Sequence, residues 1–513
     1  LASDTKTALG WLTRLYPQLT ARATQLNRLD DYYTGDHPLP FLTPAHAEKM
    51  RSQFRQMLEE SRSNFMRLLI DVVDERLQVD GFRLSATSDL QSDKDSWDIW
   101  QANQLDSLSR SAILDSLVKG VSYISVWGDT DEDGYADIAV EDATETFVAY
   151  TPGSNFRSRD AALKCWVDDI EKLERATVYL PDGVYKFARD VTEVDITSGT
   201  GGFDSAEKRL WTPYSDDPFI ENPIGVVPIV PLRNRPRTLC EGESEISDST
   251  SVQNQINSLL FLLALAGYFG AHKQRWATGI TLMEDDETKQ VKEPFDVAID
   301  KLWATEDPEV KFGEFSQTDL DGYLKAIDQK VGHLAVVSRT PKHYLLPSGQ
   351  DPSGDAIKSS ESGLVRKIER KQAILGEAFE EVLVLARQFQ GEGTAVVDNM
   401  KGTLVVDSEV VWADAATESE AVRSDATIKK FAAGLIPAEQ ALEDLGYSQV
   451  QIARMMAQKA SAALLASVQT PPPPPPSGDG TDSGPPVGEP TGTGAGETIT
   501  EPPAEFKPIT IRA

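Results

Sequence analysis

Cysteine is nearly absent: Cys165 and Cys240 are the only two in 513 residues. Two thiols make neither a disulfide framework nor a zinc site, and a reducing cytosol is the simplest setting for them. Histidine is scarce too. The five, at 37, 46, 272, 333 and 343, form no His-Glu-x-x-His pair, so a zinc-hydrolase signature is missing. No glycine-rich loop runs into Lys-Ser/Thr, which removes a P-loop nucleotidase; "GEGTAV" at 391–396 reads as a turn. Long hydrophobic runs are lacking. The most apolar one, "LLFLLALAGYF" from Leu259 to Phe269, spans about half a membrane core and predicts a buried helix, with no membrane as partner. The N-terminus shows no basic-then-apolar signal pattern. Positive charge is in deficit: 50 Lys and Arg face 81 Asp and Glu, a net charge of -31. That balance argues against a surface that grips phosphates broadly, but suits a conduit to which DNA should not stick. The plain reading is that the charge keeps a large assembly soluble. With 81 carboxylates, close pairs arise by chance and assign no catalysis. No enzyme activity and no cofactor are expected.

What is present reads as α+β in three or four domains. Apolar residues at helical spacing run to Tyr33, where Gly35, Pro38 and Pro40 stop them. "MRSQFRQMLEESRSNFMRLLIDVVDERL" resumes the pattern through Phe54, Leu58, Phe65, Leu69, Val72, Val73 and Leu77. "VDGFRL" is a turn into a short strand. A helix between Trp97 and Gly120 leads into the alternating strand "VSYISVW", an acidic turn and a second strand. Asp129, Asp131, Asp133 and Asp137 are suggestively spaced for calcium, and Gly134 fits position six of such a loop. The twelfth residue, however, is Val140, so a solvated hairpin is preferred and no metal is assigned. "LKCWVD", "ERATVYLPDGVYKFAR" and "VVPIVPLRNRP" predict a small antiparallel sheet inserted among helices, with "LPDG" as a hairpin turn.

Two helices follow, from about Gly242 and from about Thr318. The first has a polar face at its start and an end apolar on nearly every side, which neighbours in this chain or another subunit must wrap. Thr318 and Asp321 fit a loose capping box. Between the helices, 280–316 reads as a compact excursion of short strands and turns. Pro341 ends the second helix at or before Thr340. Pro347, Gly349, Pro352 and Gly354 keep the next stretch a loop, and Ser353 is a credible N-cap. A stripe at Ile357, Leu364, Ile368, Leu375, Phe379, Val382, Ala386 and Phe389 then predicts one helix of roughly 33 residues and 50 Å. Gly363 and Gly376 within it mark a bend or close packing. "LVVDSEVVWAD" is extended, and three short helices reach about Ser467. From Pro471 the chain is mostly Pro, Gly, Ser, Thr and Asp and is read as disordered or polyproline-like.

Four segments in order, "LDDYYTGDHPLPF" with "NFMRLLIDVVDERLQVDGFR", "NQINSLLFLLALAGYFGAHKQRWATG", "RTPKHYLL…SGDAIKSSESGLVRKIERKQAILGEAFEEV" and "WADAATESEAVRSDATIKKFAAGLIPAEQALEDLG", span the chain to about Ser467. They resemble the portal proteins of tailed bacteriophages, the Gp6-like family of actinobacteriophages. The resemblance implies a multidomain fold that assembles as a homo-oligomeric ring, usually of about twelve subunits, at one capsid vertex. Double-stranded DNA would pass through its channel. Partners would be the large terminase subunit, the major capsid protein or scaffold, and a head-tail adaptor. Carried over, 1–243 with 356–404 is the wing, 244–272 and 318–339 the stem, 273–317 the clip, 340–355 the channel loop, 405–467 the crown and 468–513 the tail. Leu259, Leu263 and Phe269 are then stem packing between subunits. Pro341, Lys342, His343, Gly349, Asp351 and Pro352 belong to the channel loop. Lys342 is a candidate for a transient phosphate contact, a solvated loop lysine being the plain reading. Competing classes are a head-tail adaptor or other structural virion protein, and a carboxylate-dependent nuclease.

Overall fold

The computed structural model describes residues 5–39, 52–84, 90–128, 134–190, 210–214, 218–271, 275–278, 310–314, 319–346, 354–391, 397–398, 403–404, 408–416, 420–447 and 449–469. The chain divides into two units, Leu1–Gln449 and Val450–Ala513.

Helix α1 (Thr5–Thr34) ends where expected, at Gly35, whose φ of +97° suits glycine. The next helical stretch is broken. α2 (Ser52–Glu60) and α3 (Phe65–Asp74) are separate because the Asn64 side chain accepts from the N–H groups of Met66 (3.0 Å) and Arg67 (3.4 Å), capping a fresh helix. Hydrophobic spacing runs through that break and does not register it. Strand β1 (Val79–Leu84) follows. The helix expected before Gly120 is likewise two, α4 (Leu90–Ala102) and α5 (Leu105–Lys119), split where Gln104 turns to φ +53°. Gly120 caps α5 at φ +90°. β2 (Val121–Trp127) and β3 (Asp137–Glu141) pair antiparallel as predicted. Residues 129–133 of the acidic turn lie outside the described residues. Among the described residues no group of His, Cys, Asp or Glu is placed to hold a metal ion.

β4 (Thr146–Tyr150), β5 (Arg159–Asp168), β6 (Leu173–Leu180) and β7 (Gly183–Asp190) form an antiparallel meander, and β8 (Thr212–Pro213) and β9 (Phe219–Glu221) both add to β7. "LPDG" is indeed its hairpin, with Leu180 opposite Gly183. β10 (Ile229–Arg233) departs from the expectation of one sheet. It pairs with β2, in the order β10-β2-β3, with Pro231 opposite Tyr123. An outer position suits a proline, which has no N–H to give to a second neighbour.

α6 (Thr250–Ala271) leads to β11 (Arg275–Thr278), which pairs with β12 (Lys311–Glu314) before α7 (Asp321–Ser338) returns along α6. Thr318 is outside the described residues; the Asp319 carboxylate accepts from the Asp321 N–H (2.9 Å). A single helical turn, α8 (Lys342–Leu345), precedes α9 (Gly354–Phe389). At 36 residues, α9 is about 54 Å long. Its stripe is the centre of the main core. Leu364, Ile368, Leu375, Phe379, Val382 and Ala386 are all buried, in one cluster with residues of α3, α4, α5, β2 and β10. A Cβ on Gly376 would sit 3.2 Å from Trp412 Nε1, so this glycine marks close packing, whereas Gly363 faces open space. β13 (Val397–Asp398) pairs with β14 (Thr403–Leu404), and β15 (Ser408–Trp412) pairs antiparallel with β1, joining distant parts of the chain. α10 (Glu420–Ala432), α11 (Ala438–Asp444) and α12 (Gln449–Gln469) are the three predicted C-terminal helices. A second core packs Leu12, Leu15 and Leu19 of α1 onto the β5–β7 face. The result is α+β. No described helix is long and apolar enough to cross a membrane.

Candidate functional site: the helix pair and the segment joining it to the long helix

Two helices, α6 and α7, leave the main core side by side. The root of α6 is held by amides. Gln253 Oε1 accepts from the Phe65 N–H (3.0 Å), and its Nε2 donates to the Ser63 carbonyl (2.6 Å). Asn257 Oδ1 accepts from the Ser63 N–H (3.1 Å), and Asn257 Nδ2 donates to His37 Nε2 (2.9 Å). Gln253 and Asn257 are buried, as is His37, whose ring stacks on Tyr32 at 4.7 Å. Burial, helped by Arg62, pushes the His37 pKa down and favours the neutral ring. The polar start of α6 therefore closes the α2–α3 break, which its amphipathic pattern does not reveal.

Further along, α6 becomes apolar and less covered. Phe261 is buried, Leu259 and Leu263 are half-buried, and Phe269 is 43 % exposed. Phe54 of α2 covers Tyr268 and Phe269 only in part, at ring distances of 6.2 Å each. On α7, Leu324 is 50 % and Val336 75 % exposed. Beyond the helices, Trp276 on β11 lies across Gly313, where a Cβ would come within 2.3 Å of the indole. Residues 279–309, the bulk of the expected excursion, are outside the described residues.

At the other end of α7, Arg339 adopts φ +56°, and the Thr340 N–H bonds back to the Ala335 carbonyl (3.0 Å). Thr340, Pro341 and Leu345 are buried, Lys342 is exposed and His343 half-buried. The first part of the expected loop is thus an anchored helical turn. Gly349, Asp351 and Pro352 lie outside the described residues, as does Ser353. The anchor is a three-way contact. Tyr344 donates to Glu361 of α9 (2.7 Å) and accepts from Arg76 (2.7 Å), which also reaches Glu361 (3.5 Å) and the Ala415 carbonyl (3.2 Å). His343 Nε2 stands 3.7 Å from Glu361. Burial, then the Glu361 carboxylate, pushes the Tyr344 hydroxyl pKa up, so it stays protonated and donates.

Behind this turn, Glu245 bridges Lys367 and Lys371 of α9, at 2.5 Å each. Burial pushes the Glu245 carboxyl up, but the two ammonium groups outweigh it and hold its pKa at about 2. Burial brings Lys371 down to about 8, because one carboxylate shared by two cations compensates it only partly. Lys371 also donates to Asn234, and Lys367 to the Ser338 carbonyl (2.9 Å). None of Arg76, Glu245, Glu361 or Lys371 stands out in the sequence. A charged residue on the apolar side of the α9 stripe is the only trace, and it names no partner.

A family model described as "Phage portal protein, SPP1 Gp6-like" matches residues 12–463. A portal protein of Mycobacterium phage D29 is 31% identical over 401 residues, covering 75% of this chain and 76% of the relative. A portal protein of Mycobacterium phage L5 is 30% identical over the same length and shares.

Proposed function

Because the chain belongs to the SPP1 Gp6-like phage portal proteins, we propose that it assembles as a closed homo-oligomeric ring of about twelve copies at one capsid vertex. Double-stranded DNA passes through the central channel on packaging and on ejection. The role is structural rather than catalytic. The observation that carries this reading is the family match over 12–463. The partly uncovered apolar surface of α6 and α7 supports it, since side chains such as Phe269, Leu324 and Val336 gain from burial against a neighbour. Leu259, Leu263 and Phe269 would then be shared between adjacent copies.

In this reading 244–272 and 318–339 are the stem, 273–317 is the clip that meets the large terminase subunit or a head-tail adaptor, and 1–243 with 356–404 is the wing, facing the capsid protein or scaffold. Residues 405–467 form the crown and 468–513 the tail. The segment 340–355 lines the channel, with its root fixed by Tyr344 and Glu361. Lys342 is the exposed cation of that root and the candidate for weak, salt-screened phosphate contact. Assembly takes place in the host cytoplasm.

Native mass spectrometry tests this directly. A closed ring of about twelve copies is expected. A folded monomer at all protein concentrations would refute the reading, while a ring of another number would leave it standing.

A further inference from the structure

In a chain of net charge -31, one cleft is basic. Its volume is about 650 Å³, and it lies between the end of α7, the turns before α6 and the first half of α9. Seven cations line it against three carboxylates. Lys367 and Lys371 share Glu245 at its back. Arg235 is paired with Asp248 (3.4 Å) and Arg237 with Glu243 (3.5 Å). Arg339, Arg366 and Arg370 are exposed and have no acidic partner among the described residues. Arg366 and Arg370 are one helical turn apart, about 6 Å along α9, a spacing that matches two carboxylates on one protein face. The three carboxylates of the cleft are already engaged by Arg235, Arg237, Lys367 and Lys371, so Arg339, Arg366 and Arg370 leave it with uncompensated positive charge.

We propose that this arginine cleft is the docking site for an acidic, partly apolar surface of the adjacent copy of this chain, and that it orders neighbouring subunits in the ring. The inference rests on the ring reading above and names the contact through which copies recognise each other. Two observations favour a protein surface over a phosphate backbone. First, apolar side chains border the cleft. Val337, 38 % exposed, and Ile374 line it, and Leu239, two residues from the lining residue Arg237, is 92 % exposed. A phosphate backbone gives them nothing to pack on, whereas a subunit surface buries them. Second, the cleft shares Pro236 and Ile374 with a smaller hollow of about 310 Å³ whose lining includes Arg233, Glu377 and Glu381, the last paired with Arg159. A groove basic at one end and of mixed charge further along complements mixed protein charge, not a uniform polyanion. The contact is heterologous, because the cleft meets a different face of its neighbour, and heterologous contacts close rings.

The test compares the full-length chain with the Arg366→Glu, Arg370→Glu double variant. Both substituted side chains are exposed, so folding, checked by thermal unfolding, should be kept. Native mass spectrometry across a salt series should show wild-type rings, with the variant's assembly weakened by about tenfold or more. A photo-reactive residue in place of Arg370 alone should cross-link to an acid-containing peptide of another copy. Wild-type chains that stay monomeric would sink the ring reading itself. Wild-type rings matched by variant rings of equal salt resistance, or adducts confined to one chain, would overturn the cleft assignment alone. Unchanged rings with lost retention of duplex DNA would assign the cleft to nucleic acid and likewise overturn it.

Discussion

Glu245→Gln removes the one carboxylate that compensates two buried ammonium groups. The side chains of Lys367, Lys371 and Glu245 are 10%, 6% and 5% exposed, so water can replace little of what is lost. The carboxyl pKa falls from 4.5 to about 2 on folding, which alone corresponds to about 3 kcal/mol above pH 5. Leaving the lysines uncompensated sets the expected cost at about 3–5 kcal/mol near pH 6. The pH dependence has a definite sign. Lys371 is at about 8 in the folded protein and at the ordinary 10.5 unfolded, so the unfolded chain binds the extra proton and stability rises with pH across that window. Without Glu245, burial dominates further and the Lys371 pKa drops below 8, so the variant begins to gain stability at a lower pH than wild type. The gap between the two proteins is therefore widest near pH 6 and narrower by about 1 kcal/mol or more at pH 9. In acid the wild type loses its advantage as pH falls from 4.5 through 2, and the gap narrows again. Urea denaturation followed by tryptophan fluorescence, at one protein concentration, measures each gap. A cost under about 1 kcal/mol at pH 6, or the same cost at pH 6 and pH 9, would refute the account of the cluster.

Gly242→Ala places a Cβ 2.0 Å from the Gly120 carbonyl oxygen, so backbone must move; a loss of about 3 kcal/mol is expected in the same denaturation assay, and a neutral result would contradict the close approach. Tyr344→Phe deletes the hydroxyl between Arg76 and Glu361; it should cost about 1–2 kcal/mol and speed hydrogen exchange in 341–346, and unchanged exchange would show that the anchor lies elsewhere. Leu263→Asp should leave few rings in native mass spectra, because a charge buried between copies costs several kcal/mol; normal rings would count against α6 as a subunit interface.

Local chemistry settled much of this protein before any fold was known. The α9 stripe from Leu364 to Ala386 was legible because residues three and four apart share a helix face. Gly35 and Gly120 marked helix ends because their positive φ suits glycine. The same reasoning joined α2 to α3 and α4 to α5, since periodicity averages over a single capping residue such as Asn64. An apolar α6 was also readable as a helix in need of cover. What lay beyond reach was every pairing over distance. β10 has one sequence and two available sheets, and packing alone assigned it to β2. Gln253 and Asn257 belong to the polar face at the start of α6, and only the fold shows that the α2–α3 break buries them. Glu245 meets Lys371, 126 residues away, and Arg339 comes beside Arg366 and Arg370 in one cleft. Periodicity and backbone preference act over a few residues and so are written in the sequence. Electrostatic partners and cleft walls are set by where the core brings distant segments together, and only the tertiary structure decides that.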